Sequence, residues 1–95
     1  MSEKPKARAH VSIRGKVQGV FFRAETQRAA EERKVNGWVR NRPDGSVEAV
    51  FEGMEKSVLS MVEWCKSGSP QAVVEDVSAD WSDYKGEFNG FEITH

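Results

Sequence analysis

From Ala7 to Arg14 the chain alternates, with Val11 and Ile13 on one side and Ser12 and Arg14 on the other, the period-two pattern of a half-buried strand. Gly15-Lys16-Val17-Gln18-Gly19-Val20 breaks the alternation with two glycines and reads as a loop. Phe22 to about Lys34 contains Ala, Glu, Gln and Arg without Gly or Pro, which predicts a helix. Arg28, Arg33 and Lys34 suit its C-terminal end, where the helix dipole is negative. A second strand is expected over Val35–Asn41. Arg42-Pro43-Asp44-Gly45 is turn chemistry, because Pro presets φ and Gly tolerates positive φ. Ser46–Glu52 then alternates again, Val47, Ala49 and Phe51 facing one way and Glu48 and Glu52 the other, completing a hairpin.

After Gly53, the residues Met54, Val58, Met61, Val62 and Cys65 form one apolar helical stripe, which Gly68-Ser69-Pro70 ends. Val73 to about Trp81 alternates once more, and Phe91-Glu92-Ile93 adds a short terminal strand. Strand, helix, strand, strand, helix, strand is the order of a ferredoxin-like βαββαβ sandwich, an α+β fold with an antiparallel sheet and two helices on one face. No internal repeat or linker interrupts it. Residues 1–6 are polar and read as a frayed tail, and residues 7–95 as one domain. This fold serves many functions, so function has to come from a site.

Composition narrows the class. With 38% hydrophobic and 31% charged residues, 95 residues supply one modest core. No uninterrupted apolar run exceeds three residues, whereas a membrane helix needs about 20. Glu3, Lys4, Lys6 and Arg8 stand where an export signal would need apolar residues, and the single cysteine, Cys65, cannot close an internal disulfide. A cytoplasmic location is expected. Residues 1–53 carry eleven basic and seven acidic side chains, and residues 54–95 three and eight, so the first half is cationic (+4) and the second anionic (−5). Arg14, Lys16, Arg23, Arg40 and Arg42 lie close together in this cationic half. The pattern suits a small anion held at one place, or is a chance asymmetry of a solvated surface.

The loop before the first helix sharpens the first alternative. Small residues let backbone N–H groups turn inward, and the loop feeds a helix N-terminus, where unpaired donors and the dipole favour an anion. Arg23 falls in the first helical turn, where a cation opposes the dipole by about 0.3–1 kcal/mol. A bound phosphate would remove that conflict, since the arginine fork and the amides would contact one phosphoryl group. The plain alternative is that Gly-x-x-x-Gly is an ordinary tight connection and that Arg23 reaches an acidic neighbour. Asn41, just before Pro43-Asp44-Gly45, has a plain alternative too, as turn chemistry.

Two segments carry a resemblance. Gly15-Lys16-Val17-Gln18-Gly19-Val20-Phe21-Phe22-Arg23 resembles the first signature of the acylphosphatase family. Gly37-Trp38-Val39-Arg40-Asn41-Arg42-Pro43-Asp44-Gly45-Ser46-Val47-Glu48, running on to Gly53, resembles its second. The likeness extends from about Val11 to the C-terminus and implies the ferredoxin-like fold. It departs at the end of the chain, where relatives often carry a basic–aromatic pair and this sequence has Thr94-His95.

The resemblance implies hydrolysis of an acyl phosphate to a carboxylate and inorganic phosphate, with no metal or organic cofactor. Arg23 and Asn41 take the family's catalytic positions, and Gly15, Lys16, Val17, Gln18, Gly19 and Val20 its phosphate-binding loop. Asn41 would hold a water in line with phosphorus. Its amide is too weak a base to deprotonate that water, so a phosphate oxygen of the substrate is expected to receive the proton. The expected partners are small acyl phosphates, with no nucleic acid and no membrane, for a chain acting as a monomer.

Other features point less far. His10 and His95 are far apart and complete no metal motif. Cys65 reads as core, Trp38, Trp64 and Trp81 as burial, and Glu75, Asp76, Asp80, Asp83 and Glu87 as a solvated edge. Two rival functions remain at this level. One is a non-catalytic phosphate- or RNA-binding module, against which stands the lack of aromatic recognition motifs on the middle strands. The other is an accessory domain of a carbamoyl-phosphate-using enzyme, against which stands the stand-alone length.

Overall fold

Five strands and two helices make up residues 5–94, the part of the chain that the computed structural model describes. In chain order they are β1 (Lys6–Lys16), α1 (Phe22–Glu32), β2 (Asn36–Asn41), β3 (Val47–Met54), α2 (Glu55–Cys65), β4 (Val73–Ser82) and β5 (Phe91–Ile93). The sheet order is β4-β1-β3-β2-β5. β1 pairs antiparallel with β3 and β4, and β2 pairs antiparallel with β3. The expected antiparallel sheet thus holds for four strands. The fifth lies parallel to β2, joining Gly37 to Phe91 and Val39 to Ile93, so the sheet is mixed.

Alternation fixes which face the helices cover. Ala9, Val11 and Ile13 of β1, Val39 of β2, and Val47, Ala49 and Phe51 of β3 are buried together with Phe22, Ala29 and Ala30 of α1 and Val58, Met61 and Cys65 of α2. Ala29 and Ala30 let α1 approach the sheet closely. Burial pushes the Cys65 thiol up to about 12, consistent with a core residue and not a nucleophile. The tryptophans depart from expectation: none of the three is buried, and Trp81 is 45% exposed. Trp64 packs against the Phe22 ring and Trp38 under the Arg40 guanidinium.

Element ends shift by a residue or two. β1 starts at Lys6, opposite Met54, so the frayed tail does not reach that far; residues 1–4 lie outside the described residues, as does His95. α1 stops at Glu32, because Lys34 turns left-handed (φ 58°) and carries the chain into β2.

The far face of β3 is the larger surprise. Glu48, Val50 and Glu52 face away from the core formed with the helices, yet all three are buried. Glu48 is enclosed by His10, Arg40 and Arg42. Glu52 is enclosed by residues 83–90, which must cross the sheet because β4 and β5 lie at opposite edges. The Glu52 carboxylate accepts from the Lys85 N–H at 2.8 Å, from the Glu87 N–H at 3.3 Å and from Arg8 at 3.0 Å. Burial opposes its ionisation, but these donors outweigh it and hold the carboxyl below its usual range. Gly37 N–H then donates to the Gly90 carbonyl, and β5 is delivered beside β2. Among the described residues, no helix is long and apolar enough to cross a membrane.

Candidate active site

Gly15 begins the site. The β1–β4 register shifts between Arg14 and Gly15, a bulge that leaves Glu75 of β4 without a partner and keeps Gly15 and Lys16 in the ladder. A side chain cannot replace that hydrogen: with φ at 128°, a Cβ there would come within 2.1 Å of the Val73 carbonyl oxygen. Lys16 closes β1 opposite Val73, and the chain then passes through Val17 to Phe21 before α1.

Two side chains anchor this loop. Gln18 Nε2 donates to the Arg42 carbonyl at 2.7 Å and to the Ser46 carbonyl at 2.9 Å, tying the loop to the turn between β2 and β3. Ser69 Oγ, buried, donates to the Val20 carbonyl at 2.7 Å from the connection after α2. In a trans peptide the N–H points opposite the C=O, so the Phe21 N–H faces away from Ser69. Phe21 is the residue before α1 and offers no capping side chain. No acceptor is found among the described residues for the N–H groups of residues 18–24; the first bond of the helix runs from Glu25 N–H to the Phe21 carbonyl. The corresponding donor at α2, Glu55 N–H, is satisfied by the Pro5 carbonyl. The α1 terminus therefore presents backbone donors that no described residue accepts from.

A cavity of about 320 Å³ opens at this terminus. The loop contributes Val17, Gly19 and Phe21, the first helical turn Phe22, Arg23 and Ala24, the end of β2 Asn41, and the end of β5 Ile93. Among the described residues, no carboxylate and no imidazole lines it. Arg8, Arg28, Arg33, Arg40 and Arg42 each have a carboxylate within ion-pair distance. Arg23 has none among the described residues. Arg14 also lacks one, but it is exposed on the other face of the sheet. Asn41 shares the helix-facing side of β2 with Val39, and its Oδ1 is a buried acceptor without a donor. The turn that follows is held by Asp44, which accepts from Ser46 N–H and Oγ, and by Gln18, so the Asn41 amide is not needed for it.

Of the residues expected in the site, Val17, Gly19, Arg23 and Asn41 come together around the cavity. Gly15 and Lys16 lie outside it, Gln18 turns its side chain to the hairpin, and Val20 is buried with its carbonyl on Ser69. The cationic cluster does not assemble either. Arg40 precedes Asn41 in β2, so the pleat sends it to the opposite face. There it pairs with Glu48 at 2.7 Å, and Arg42 reaches the same carboxylate at 3.1 Å. The hydrogen bond from Arg42, with those of His10 and Arg40, outweighs burial and lowers the Glu48 carboxyl from the usual 4.5 to about 2. Sequence reasoning did not reach Phe21 and Ile93 as cavity residues. Phe21 lies within the first signature but its side chain carries no site chemistry to mark it, and Ile93 arrives only through the parallel pairing of β5.

Fold and cavity together define the class: a ferredoxin-like α+β domain with a cleft at a helix N-terminus that an arginine and an asparagine line. Comparison with known proteins gives the family. Residues 9–93 match the acylphosphatase family model. The chain is 54% identical to the acylphosphatase of Pelotomaculum thermopropionicum, over 93% of this chain and 96% of that one. It is 57% identical to that of Haloquadratum walsbyi, over 98% of each. The crystal structure of acylphosphatase from Bacillus subtilis superposes with a TM-score of 0.90 at 40% identity, covering 94% of this chain and 99% of that one. The chain belongs to the acylphosphatase family, hydrolases of acyl phosphates.

Proposed function

We propose that the chain hydrolyses its acyl phosphate in the cavity at the α1 N-terminus, through Arg23, Asn41 and the loop amides. The phosphoryl oxygens take the Arg23 guanidinium and the free N–H groups between Gln18 and Arg23. Asn41 Oδ1 accepts a hydrogen bond from one water and so directs that water's lone pair at phosphorus. The O–P bond forms as the bond to the acyl oxygen breaks, and the departing carboxylate is a weak base that leaves without a proton. No lining side chain among the described residues serves as an ordinary base, and the Asn41 amide is too weak a base, so in this reading the water's proton passes to a phosphoryl oxygen. Catalysis is then positioning and charge stabilisation. The reading includes a reaction without metal or organic cofactor, carried out by a monomer in the cytoplasm.

The observation that carries it is the buried, unpartnered Asn41 Oδ1 in the same cavity as an arginine without a carboxylate partner among the described residues. Release of inorganic phosphate from benzoyl phosphate, with chelator present, tests it. Loss of one preorganised donor typically lowers the rate by about 10²–10³, and Arg23→Ala is expected to lose at least that much together with phosphate binding. Asn41→Ala is expected to fold and to bind phosphate but to turn over little. Near-normal turnover by either variant would falsify the assignment.

A further inference from the structure

Phe21 combines two locally unfavourable features. Its backbone is left-handed (φ 61°, ψ 20°), a region that bulky side chains seldom occupy. Its ring is 72% exposed, the most of any large hydrophobic side chain among the described residues. The loop's own hydrogen bonds account for the backbone and not for the ring. The Val20 carbonyl accepts from Ser69 and the Phe21 carbonyl from Glu25 N–H, and a glycine at this position would serve both with less strain. The ring is therefore unexplained by the fold.

The cavity has a matching excess. A phosphoryl group requires donors and charge, which Arg23 and the amides supply, yet Val17, Ala24 and Ile93 line the same space with apolar surface. The buried Asn41 Oδ1 marks the inner end of the cavity, and the exposed Phe21 ring marks its mouth. In-line attack by a water at the inner end directs the leaving group outward. The acyl group then emerges where the aromatic ring stands.

We propose that Phe21 is a specificity-determining residue whose ring, with Ala24 and Ile93, covers the acyl group, so that acyl phosphates with aromatic or branched apolar acyl groups are preferred over acetyl phosphate. The proposal rests on the cavity being the site of hydrolysis. Covering the ring removes its exposure to water, and the gain falls on substrates with apolar surface to offer.

The test compares kcat/KM for benzoyl phosphate and acetyl phosphate in wild type, Phe21→Ala, Phe21→Leu and Arg23→Ala, with inhibition by inorganic phosphate measured alongside. The benzoyl-to-acetyl ratio is expected to fall about tenfold in Phe21→Ala, the scale on which apolar pockets discriminate, and to remain largely intact in Phe21→Leu. An unchanged ratio in Phe21→Ala overturns the proposal. So does an equal fall on both substrates accompanied by weaker phosphate inhibition, which would make Phe21 a shaper of the loop only. Should Arg23→Ala retain wild-type turnover of both substrates, the site itself has been misplaced, a failure distinct from the other two.

Discussion

Arg23 occupies the first turn of α1, against the helix dipole and without a carboxylate partner among the described residues. The residue is legible in the sequence because it breaks a local rule, and such breaks concentrate at functional sites. What the guanidinium supplies beyond charge is testable. Lysine keeps the positive charge but loses the planar fork, so Arg23→Lys is expected to fall between wild type and Arg23→Ala in kcat/KM. Equal activity of the lysine variant and wild type would mean that charge alone suffices. Asn41 was less legible. Its neighbours Pro43, Asp44 and Gly45 offer it a routine role in the turn, and only its buried, unpartnered oxygen separates the two readings.

At the scale of elements, the loop between β1 and α1 is held from two sides, by Gln18 on the hairpin turn and by Ser69 on the connection after α2. Gln18 bridges the loop to the turn that follows Asn41, so it sets the distance between the amides and the end of β2. Each of its two hydrogen bonds contributes about 0.5–1.5 kcal/mol net. Gln18→Ala is therefore expected to lose about 1–3 kcal/mol in urea unfolding and to raise KM as the loop loosens. A variant that loses stability while keeping wild-type KM would show that Ser69 alone positions the loop. The sequence identified the loop by its glycines and by family resemblance. Strand pairing explains why it extends only from Val17: the bulge at Gly15 leaves Lys16 inside the ladder with β4.

Across the whole molecule, two buried carboxylates brace the face of the sheet opposite the helices, Glu48 among His10, Arg40 and Arg42, and Glu52 beneath residues 83–90. Both are more acidic in the folded chain than in the unfolded one. Their stabilisation is accordingly complete above the ordinary carboxylate range and is lost as pH falls through the folded values. For Glu48 the window runs from the usual 4.5 down to about 2, a contribution of up to about 3 kcal/mol at 1.36 kcal/mol per pH unit. Urea unfolding measured across that window is expected to show the decline. Glu48→Gln is expected to be less stable at neutral pH, because it leaves three basic side chains without their anion, and to show a flatter acid limb. An acid limb unchanged in Glu48→Gln would assign the decline to other carboxylates.

The alternation of apolar and polar residues determined the element order, the face that the helices cover and the loop that opens the site, because these depend on period and on residue type within a few positions. Charge proximity along the chain misled at Arg40 and Arg42, since adjacent residues of a strand face opposite ways. Tertiary structure alone decided where β5 lies. Phe91–Ile93 is too short to declare a partner, and it reaches β2 only because residues 83–90 cross the sheet on the Glu52 carboxylate. That crossing carries Ile93 to the cavity rim, and the hydrogen bonds of Ser69 and Glu25 hold Phe21 in its left-handed turn. The crossing and the Ser69 bond join residues far apart in the chain, which no local pattern encodes.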